Sequence, residues 1–544
     1  MFRSNPMPSL SPTRTESRLQ VPALAAVDGV VALVAAFVVL VPFVRLVGIA
    51  GQYDSQRIAE LGVLMLAVLL VSTTGGARAF RRGAALVPGP AKIGLLGAVG
   101  LGLAASAAAP APLYALAGVG MVAVLVGLAL ALAGHWRESA VDARILIEMV
   151  AMACAATCAY AVYSAHVTSV LGGGEGWPDV SGAFSNRRHL NQVQLVVLPL
   201  TLAWTARLAS DTSASLVRRG GAWALRLLSA LHVAVWIASA GRASALGFVL
   251  GCLVVAALYR RQVGPVVRET IIALVLGALA YVLLFEVFGG AGGAFERKHV
   301  LSNRDVHWAA SLRILADRPW LGIGPMQYAY FSEVSAHPHN LALRLATEWG
   351  LPAAGLLLGI MAWAVRGWLG LIRRTAAHSG RSFWRAALTV ALVGTLVNAA
   401  FDSFMMAPAS QAWAILLIAA LLTEYGRMCQ DVRVEPAPSE PSSAGVLWRV
   451  GVPLALGLAF APLVSVAVHD VPTLPRRSYD RRAWIKPTLN YPRFWQVGTL
   501  APPEGVDTPQ KRRYWPAQIE PSEPAAGAAL GTAAGTAAAV KPAQ

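Results

Sequence analysis

Apolar residues run along this chain in blocks of roughly 17–25, each long enough to cross a bilayer as a helix. The blocks fall at about 21–48, 58–73, 93–109, 113–133, 145–166, 191–209, 222–239, 244–259, 269–288, 351–368, 385–400, 408–424 and 447–468, so the pattern predicts about 12–13 spans. Inside lipid every backbone N–H and C=O must be bonded within the segment, which favours helices. The short alternating segments of a transmembrane β-barrel do not occur. The expected fold is therefore all-α, a polytopic membrane helical bundle. The first block, Val21 to about Val47, is too long for a signal-peptide core and lacks a small-residue cleavage site, so it reads as an uncleaved span.

Composition agrees. Of 544 residues, 56% are hydrophobic and 13% charged, where a soluble domain carries about 25% charge. The net charge of +17 would suggest nucleic acid on a soluble protein. Here it follows topology, and no RNA- or DNA-binding signature accompanies it. Arg78, Arg81 and Arg82 follow the second block; Arg137 and Arg144 follow the fourth; Arg218, Arg219 and Arg226 follow the sixth. Arg260, Arg261 and Arg268 follow the eighth, and Arg366, Arg373, Arg374, Arg381 and Arg385 follow the tenth. Every second loop is basic, as cytoplasmic loops are. The expectation is a multi-pass protein of a bacterial inner membrane, with residues 1–20 cytoplasmic and a transmembrane domain over 21–468. Loops 167–190 and 289–350 and a tail from 469 to 544 are then periplasmic. The tail is basic and aromatic up to Trp515 and should run along the outer leaflet, with order ending at about 524. Cys154, Cys158, Cys252 and Cys429 lie in or beside apolar blocks, so neither a disulfide nor a metal site is expected.

Some arginines fall on the wrong side of this scheme. The first outer loop holds Asn186, Arg187, Arg188 and His189; the short turn between two blocks holds Arg242; the long loop holds Arg297, Lys298, Arg304, Arg313 and Arg318. Positive charge in a translocated loop opposes the usual bias. An anionic ligand at the outer surface gives it a purpose, and the arginine fork suits phosphate. Residues 304–316 can form a surface helix, with Trp308, Leu312 and Leu315 on one face and Arg304, His307 and Ser311 on another. Arg313, nine residues from Arg304, then points to the opposite side. Arg304 is therefore the better phosphate ligand. Pro319 and the Gly322–Pro325 stretch force turns after this helix.

Next comes His337-Pro338-His339-Asn340. Asn340 suits the N-cap of a short helix. His339 would sit at that helix's positive end, which keeps an imidazole neutral and able to act as a general base. His337 is the weaker candidate because a proline separates it from the helix.

Four segments in order resemble the O-antigen ligase and polymerase superfamily of integral-membrane glycan transferases. Gly182-Ala-Phe-Ser-Asn186-Arg-Arg-His189 resembles a first outer-loop motif of glycine followed by Asn-x-x-His, and Gly241-Arg242-Ala-Ser a Ser-Arg-Gly-type turn. Arg304-x-x-x-Trp308 with Arg318-Pro319-Trp-Leu-Gly322-Ile-Gly324 resembles an Arg-x-x-x-Trp and Pro-x-x-Gly-x-Gly run. His339-Asn340-x-x-Leu343-x-x-x-x-Glu348-x-Gly350-Leu351 resembles the His-Asn signature. The motifs lie within residues 182–355. Ala243 and Ala353 stand where the family favours glycine, which bears on packing and removes no reactive group. The resemblance implies a membrane glycosyltransferase-type fold with periplasmic loop helices. It also implies an undecaprenyl-pyrophosphate-linked glycan donor and metal-independent inverting transfer without a cofactor. His339 would be the catalytic base and Arg242 and Arg304 the pyrophosphate ligands, with Asn186, Arg187, Arg188, His189, His337, Asn340 and Arg313 in support. The expected partners are that donor, a lipid A–core or other acceptor, and membrane lipids.

A polymerase or a protein O-oligosaccharyltransferase would carry the same donor motifs. A transporter of an anionic substrate is the alternative of another class. Against it stand the lack of an internal repeat and of paired broken helices, and the few acids inside blocks, namely Asp28, Glu60 and Glu148. The basic tail favours an anionic acceptor such as lipid A–core.

Overall fold

A computed structural model describes residues 21–475 and 493–495, apart from 48, 50, 140–141, 173–183, 185, 211–214, 288–303, 333–334, 376–380, 403 and 433–444. Arg297 and Lys298 lie outside the described residues, as do the N-terminal 20 residues and most of the tail.

The described chain is helical, with no strand. In order the helices are α1 (Val21–Leu40), α2 (Gln52–Val71), α3 (Thr74–Ala85), α4 (Gly89–Ala107), α5 (Pro112–Trp136), α6 (Ala143–Leu171), α7 (Arg187–Ala209) and α8 (Leu216–Ala238). There follow α9 (Arg242–Tyr259), α10 (Gly264–Tyr281), α11 (Arg304–Asp317), α12 (Tyr328–Phe331), α13 (Leu341–Thr375), α14 (Ser382–Phe401), α15 (Pro408–Asp431) and α16 (Gly445–Asp470). Every apolar block of the sequence is a helix here. Among the described residues, eleven helices are long and apolar enough to span a membrane, or twelve where α2 and α3, bent by 94°, count as one broken span. The protein is a polytopic helical bundle.

The bend between α2 and α3 departs from the sequence reading, which ended a span at 73 and treated Arg78, Arg81 and Arg82 as loop. Thr73 caps α3, its hydroxyl accepting the Gly76 N–H at 3.2 Å. The segment is rich in glycine, a poor helix former, and its helicity comes from packing. A Cβ at Gly83 would lie 1.8 Å from the Leu130 carbonyl oxygen, so α3 lies directly on the backbone of α5.

Helix α5 is the centre of one half of the bundle, packed by α3, α4, α15 and α16; α7 fills the other, against α6, α8 and α14. The three acids that the sequence places inside apolar blocks each have a basic partner: Asp28 with His135 at 2.8 Å, Glu148 with Arg207 at 2.6 Å, and Glu60 with Arg57. At the end of the bundle that carries the basic loops, Arg385 donates to Glu424 and Asp431, both at 2.8 Å, and Arg381 to Asp142 at 2.9 Å. These pairs tie α14, α15 and the start of α6. The opposite end gathers the starts of α7, α9, α11 and α13.

Candidate active site

Four helix N-termini and one C-terminus build the site. Asn186 caps α7, its side chain accepting the Arg188 N–H at 2.9 Å. This sets Arg187 and Arg188 half-buried in the first turn, with His189 buried behind them. Arg242 opens α9 after a tight turn in which Ala240 has φ of 51° and accepts the Arg242 N–H at 2.9 Å. Its side chain is exposed, and it is within electrostatic reach of Arg304 at the start of α11.

Helix α11 has the periodicity expected of it. The polar face turns inward: His307, Ala310, Ser311 and Ile314 are buried, while Leu312 is 56% exposed. Arg304 is half-buried, and its Nε is buried with no hydrogen-bond partner among the described residues. Burial lowers its pKa, and so does repulsion from Arg188 and Arg242; Asp402 opposes them. Guanidiniums held this close repel one another unless an anion joins them. Arg313 is exposed on the far side of α11, away from this cluster, as the helical geometry required.

The His337–Asn340 turn lies beside α11, whose Trp308 donates its indole N–H to the Pro338 carbonyl at 3.1 Å. Asn340 caps α13, accepting the Leu343 N–H at 2.9 Å, and its amide donates to Ala400 O at the end of α14 at 3.1 Å. His339 has a positive φ of 52°. Its backbone N–H donates to Nδ1 of His337 at 3.1 Å, so His337 serves as a neutral acceptor that shapes the turn. The His339 ring lies between two oxygens: Nδ1 is 3.4 Å from Asp402 Oδ1, and Nε2 is 3.2 Å from Ser335 Oγ. His307 stands beyond it, ring centroids 5.7 Å apart.

Burial pushes the His339 pKa below the ordinary range, with the Asp402 carboxylate pulling the other way and Arg188 and Arg304 adding to the depression. Burial also lowers His307, to about 4, and takes His337 well down, helped by the charges of His339, Arg493 and Arg344. His189 lies within electrostatic reach of Asp402 and His339, but its ring is turned toward Tyr53, centroids 6.2 Å apart. Among the described residues, no group of three or more His, Cys, Asp or Glu side chains is placed to hold a metal ion.

The structure thus brings together His339, His337, Asn340, Arg188, Arg242 and Arg304, with His189 at the edge. It adds Asp402, which the sequence reading passed over because that reading counted acids inside spans. An acid directly after the end of an apolar block was the available signal. For residues 493–495 it also corrects the expectation of a tail running along the outer leaflet; the rest of that stretch, 476–492 and 496–515, lies outside the described residues. Arg493, Phe494 and Trp495 are buried inside the bundle, the two rings fully, because a carboxylate waits there for each polar end. Arg493 pairs with Glu348, and Trp495 donates to Asp470 at 2.6 Å.

The site lies at one end of a bundle of spanning helices and pairs a histidine and a carboxylate with three arginines. Residues 227–358 match the model of a protein family described as O-antigen ligase, which agrees with the O-antigen ligase and polymerase superfamily. The match supports a membrane enzyme with a glycan-transferring ligase or polymerase role. It takes in Arg242, Arg304, His337, His339 and Asn340 and stops short of Arg188 and Asp402. A search of curated proteins returned no match.

Proposed function

We propose that the protein transfers a glycan from undecaprenyl pyrophosphate to an acceptor hydroxyl at the periplasmic face of a bacterial inner membrane, in O-antigen ligation to lipid A–core. The observation that carries the reading is the His339–Asp402 pair set beside Arg188, Arg242 and Arg304. With its proton on Nδ1 toward Asp402, His339 offers the Nε2 lone pair, on the side where Ser335 Oγ already stands at hydrogen-bond distance. Nε2 takes the proton of the acceptor hydroxyl as that oxygen attacks the anomeric carbon. The bond from that carbon to the pyrophosphate oxygen breaks on the opposite face, giving inversion. The electron pair leaves with the pyrophosphate, whose growing charge falls on Arg242 and Arg304 with Arg188 beside them. A positioned base is worth roughly 10²–10⁴-fold in rate. The chemistry needs no metal, because the arginines take the Lewis acid's place.

Purified protein with lipid-linked donor and acceptor tests the reaction. Loss of transfer in both His339→Ala and His339→Gln, with donor binding intact, supports the base. Near-normal turnover of His339→Gln reduces His339 to a hydrogen-bonding role. The acceptor is tested by gene deletion and lipopolysaccharide electrophoresis. Loss of the capped ladder with intact core supports the ligase, a single-repeat cap makes it a polymerase, and an unchanged ladder with lost glycoproteins makes it a protein transferase.

A further inference from the structure

We propose that Arg493, delivered by the chain beyond the last span, is a positioning residue of the transferase site, acting through Glu348 on the elements that carry His339 and Arg304. The inference rests on the transferase reading above.

Residues 493–495 form a wedge with a contact on each of several helices. The Arg493 guanidinium pairs two-pronged with the Glu348 carboxylate, with Nη2 2.7 Å from Oε2. The Phe494 ring lies under Arg57 of α2, its centroid 5.6 Å from the guanidinium carbon. Trp495 donates to Asp470 at the end of α16, and Asp470 also accepts the Tyr114 hydroxyl of α5 at 2.8 Å.

Glu348 is the junction between the two halves of the site. It lies on the first segment of α13, nine residues after His339 in sequence, where the helix breaks at Gly350. Its Oε2 accepts the Met326 N–H at 3.2 Å, its carbonyl accepts the Gly324 N–H at 2.9 Å, and the Thr347 carbonyl accepts Ile323 N–H at 2.9 Å. Leu351 N–H closes the seam on Pro319 O at 2.8 Å. The 319–327 strap stitched here follows directly on α11, which begins with Arg304. The carboxylate thus joins the helix that His339 precedes to the strap that ends the Arg304 helix.

Glu348 is fully buried, and a carboxylate there is held in place by charged and hydrogen-bonding partners. Arg493 supplies that charge from 145 residues away. Arg344 of α13 also lies within reach of Glu348 and of Arg493, but pairing falls to Arg493. Without Arg493 the seam loosens, and the spacing between the base and the pyrophosphate arginines loosens with it. Small misplacements of reacting groups cost up to about 10²-fold in rate.

The test uses the full-length protein in detergent with lipid-linked donor. Arg493→Ala should lower kcat by about 10- to 100-fold while donor KM stays within about twofold. Arg493→Lys, which keeps charge and loses the fork, should fall between that and wild type. Glu348→Gln should match Arg493→Ala, and the double variant should be no worse than either, since both break one link. Monodisperse elution and an unchanged melting point for Arg493→Lys separate positioning from misfolding, and where Arg493→Ala does not purify, Arg493→Lys decides. Wild-type kcat in Arg493→Lys and Arg493→Ala, with His339→Ala inactive, overturns this inference and leaves the transferase reading standing. Full transfer by His339→Ala overturns the transferase reading itself.

Discussion

Asp402 and His339, 63 residues apart, face each other across the junction of α14 and the start of α13, with Oδ1 3.4 Å from Nδ1. The carboxylate orients the ring and favours its charged form, while burial and the flanking arginines disfavour it.

Replacing Asp402 separates these effects. Asp402→Asn should cut kcat by about 10²-fold or more, because the ring loses its partner and its basicity. The base must be neutral to act, so activity falls as pH drops through the His339 pKa, which lies below the ordinary histidine value. Removing a carboxylate lowers that pKa further. The acidic limb of kcat/KM should therefore move to lower pH in Asp402→Asn, and a move to higher pH would show that another group titrates.

The arginine cluster should be graded by position. Arg242→Ala and Arg304→Ala should each cost about 10²–10³-fold, the range seen on removing one donor from a charge-stabilising site. Lysine at either position should also be impaired, since the fork is lost. Arg313→Ala, on the exposed far side of α11, should transfer at close to the wild-type rate. A ranking with Arg313 worst would reverse the assignment.

Topology is open to cysteine labelling in intact cells. Cysteines placed at 186, 242 and 339 should react with a membrane-impermeant reagent, and those at 260 and 373 should not. Labelling at 373 would invert the orientation and move the site to the cytoplasm.

The break in α13 makes a sharp contrast between two glycines. Gly350 has φ of 81°, and a Cβ there would lie 2.0 Å from the Trp320 carbonyl oxygen. Gly350→Ala should lower the melting temperature and abolish transfer, since the left-handed conformation alone costs an L-residue about 1–2 kcal/mol. Gly355, one turn further on, has open space around the Cβ position. Gly355→Ala should be neutral or stabilise by roughly 0.5–1 kcal/mol.

The tail should divide in function. Truncation after about residue 524 should leave transfer unchanged, because that end is Ala/Gly-rich and carries few groups for contact. Trp495→Phe keeps the ring and removes the donor to buried Asp470, which should cost about 1–3 kcal/mol of stability, read as a shift in melting temperature.

How far the sequence carried differs by residue. Helices α4 and α10 were readable because lipid demands unbroken apolar length, which composition alone displays. Asn340 was readable as a cap because capping is local: donor and acceptor are three residues apart. Helix α3 was not, since its glycines disfavour a helix until α5 lies beside them. The placement of Arg493 was not, because a basic residue among aromatics reads equally as a lipid contact or a buried pair. Glu348 is the deciding partner, 145 positions away. Asp402 falls between these cases: its position after a span was visible, its partner was not.

The His339–Asp402 pairing also bears on recombination between related enzymes. The segment that matches the family, residues 227–358, holds the proposed base His339 but not Asp402, which pairs with it. A chimera that exchanges this segment alone would mate a histidine from one parent with an aspartate, and with a first-loop Arg188, from the other. Exchanges that move specificity intact would have to carry the end of α14 and the start of α7 along with it. The heritable unit of this catalyst is therefore wider than its recognisable signature.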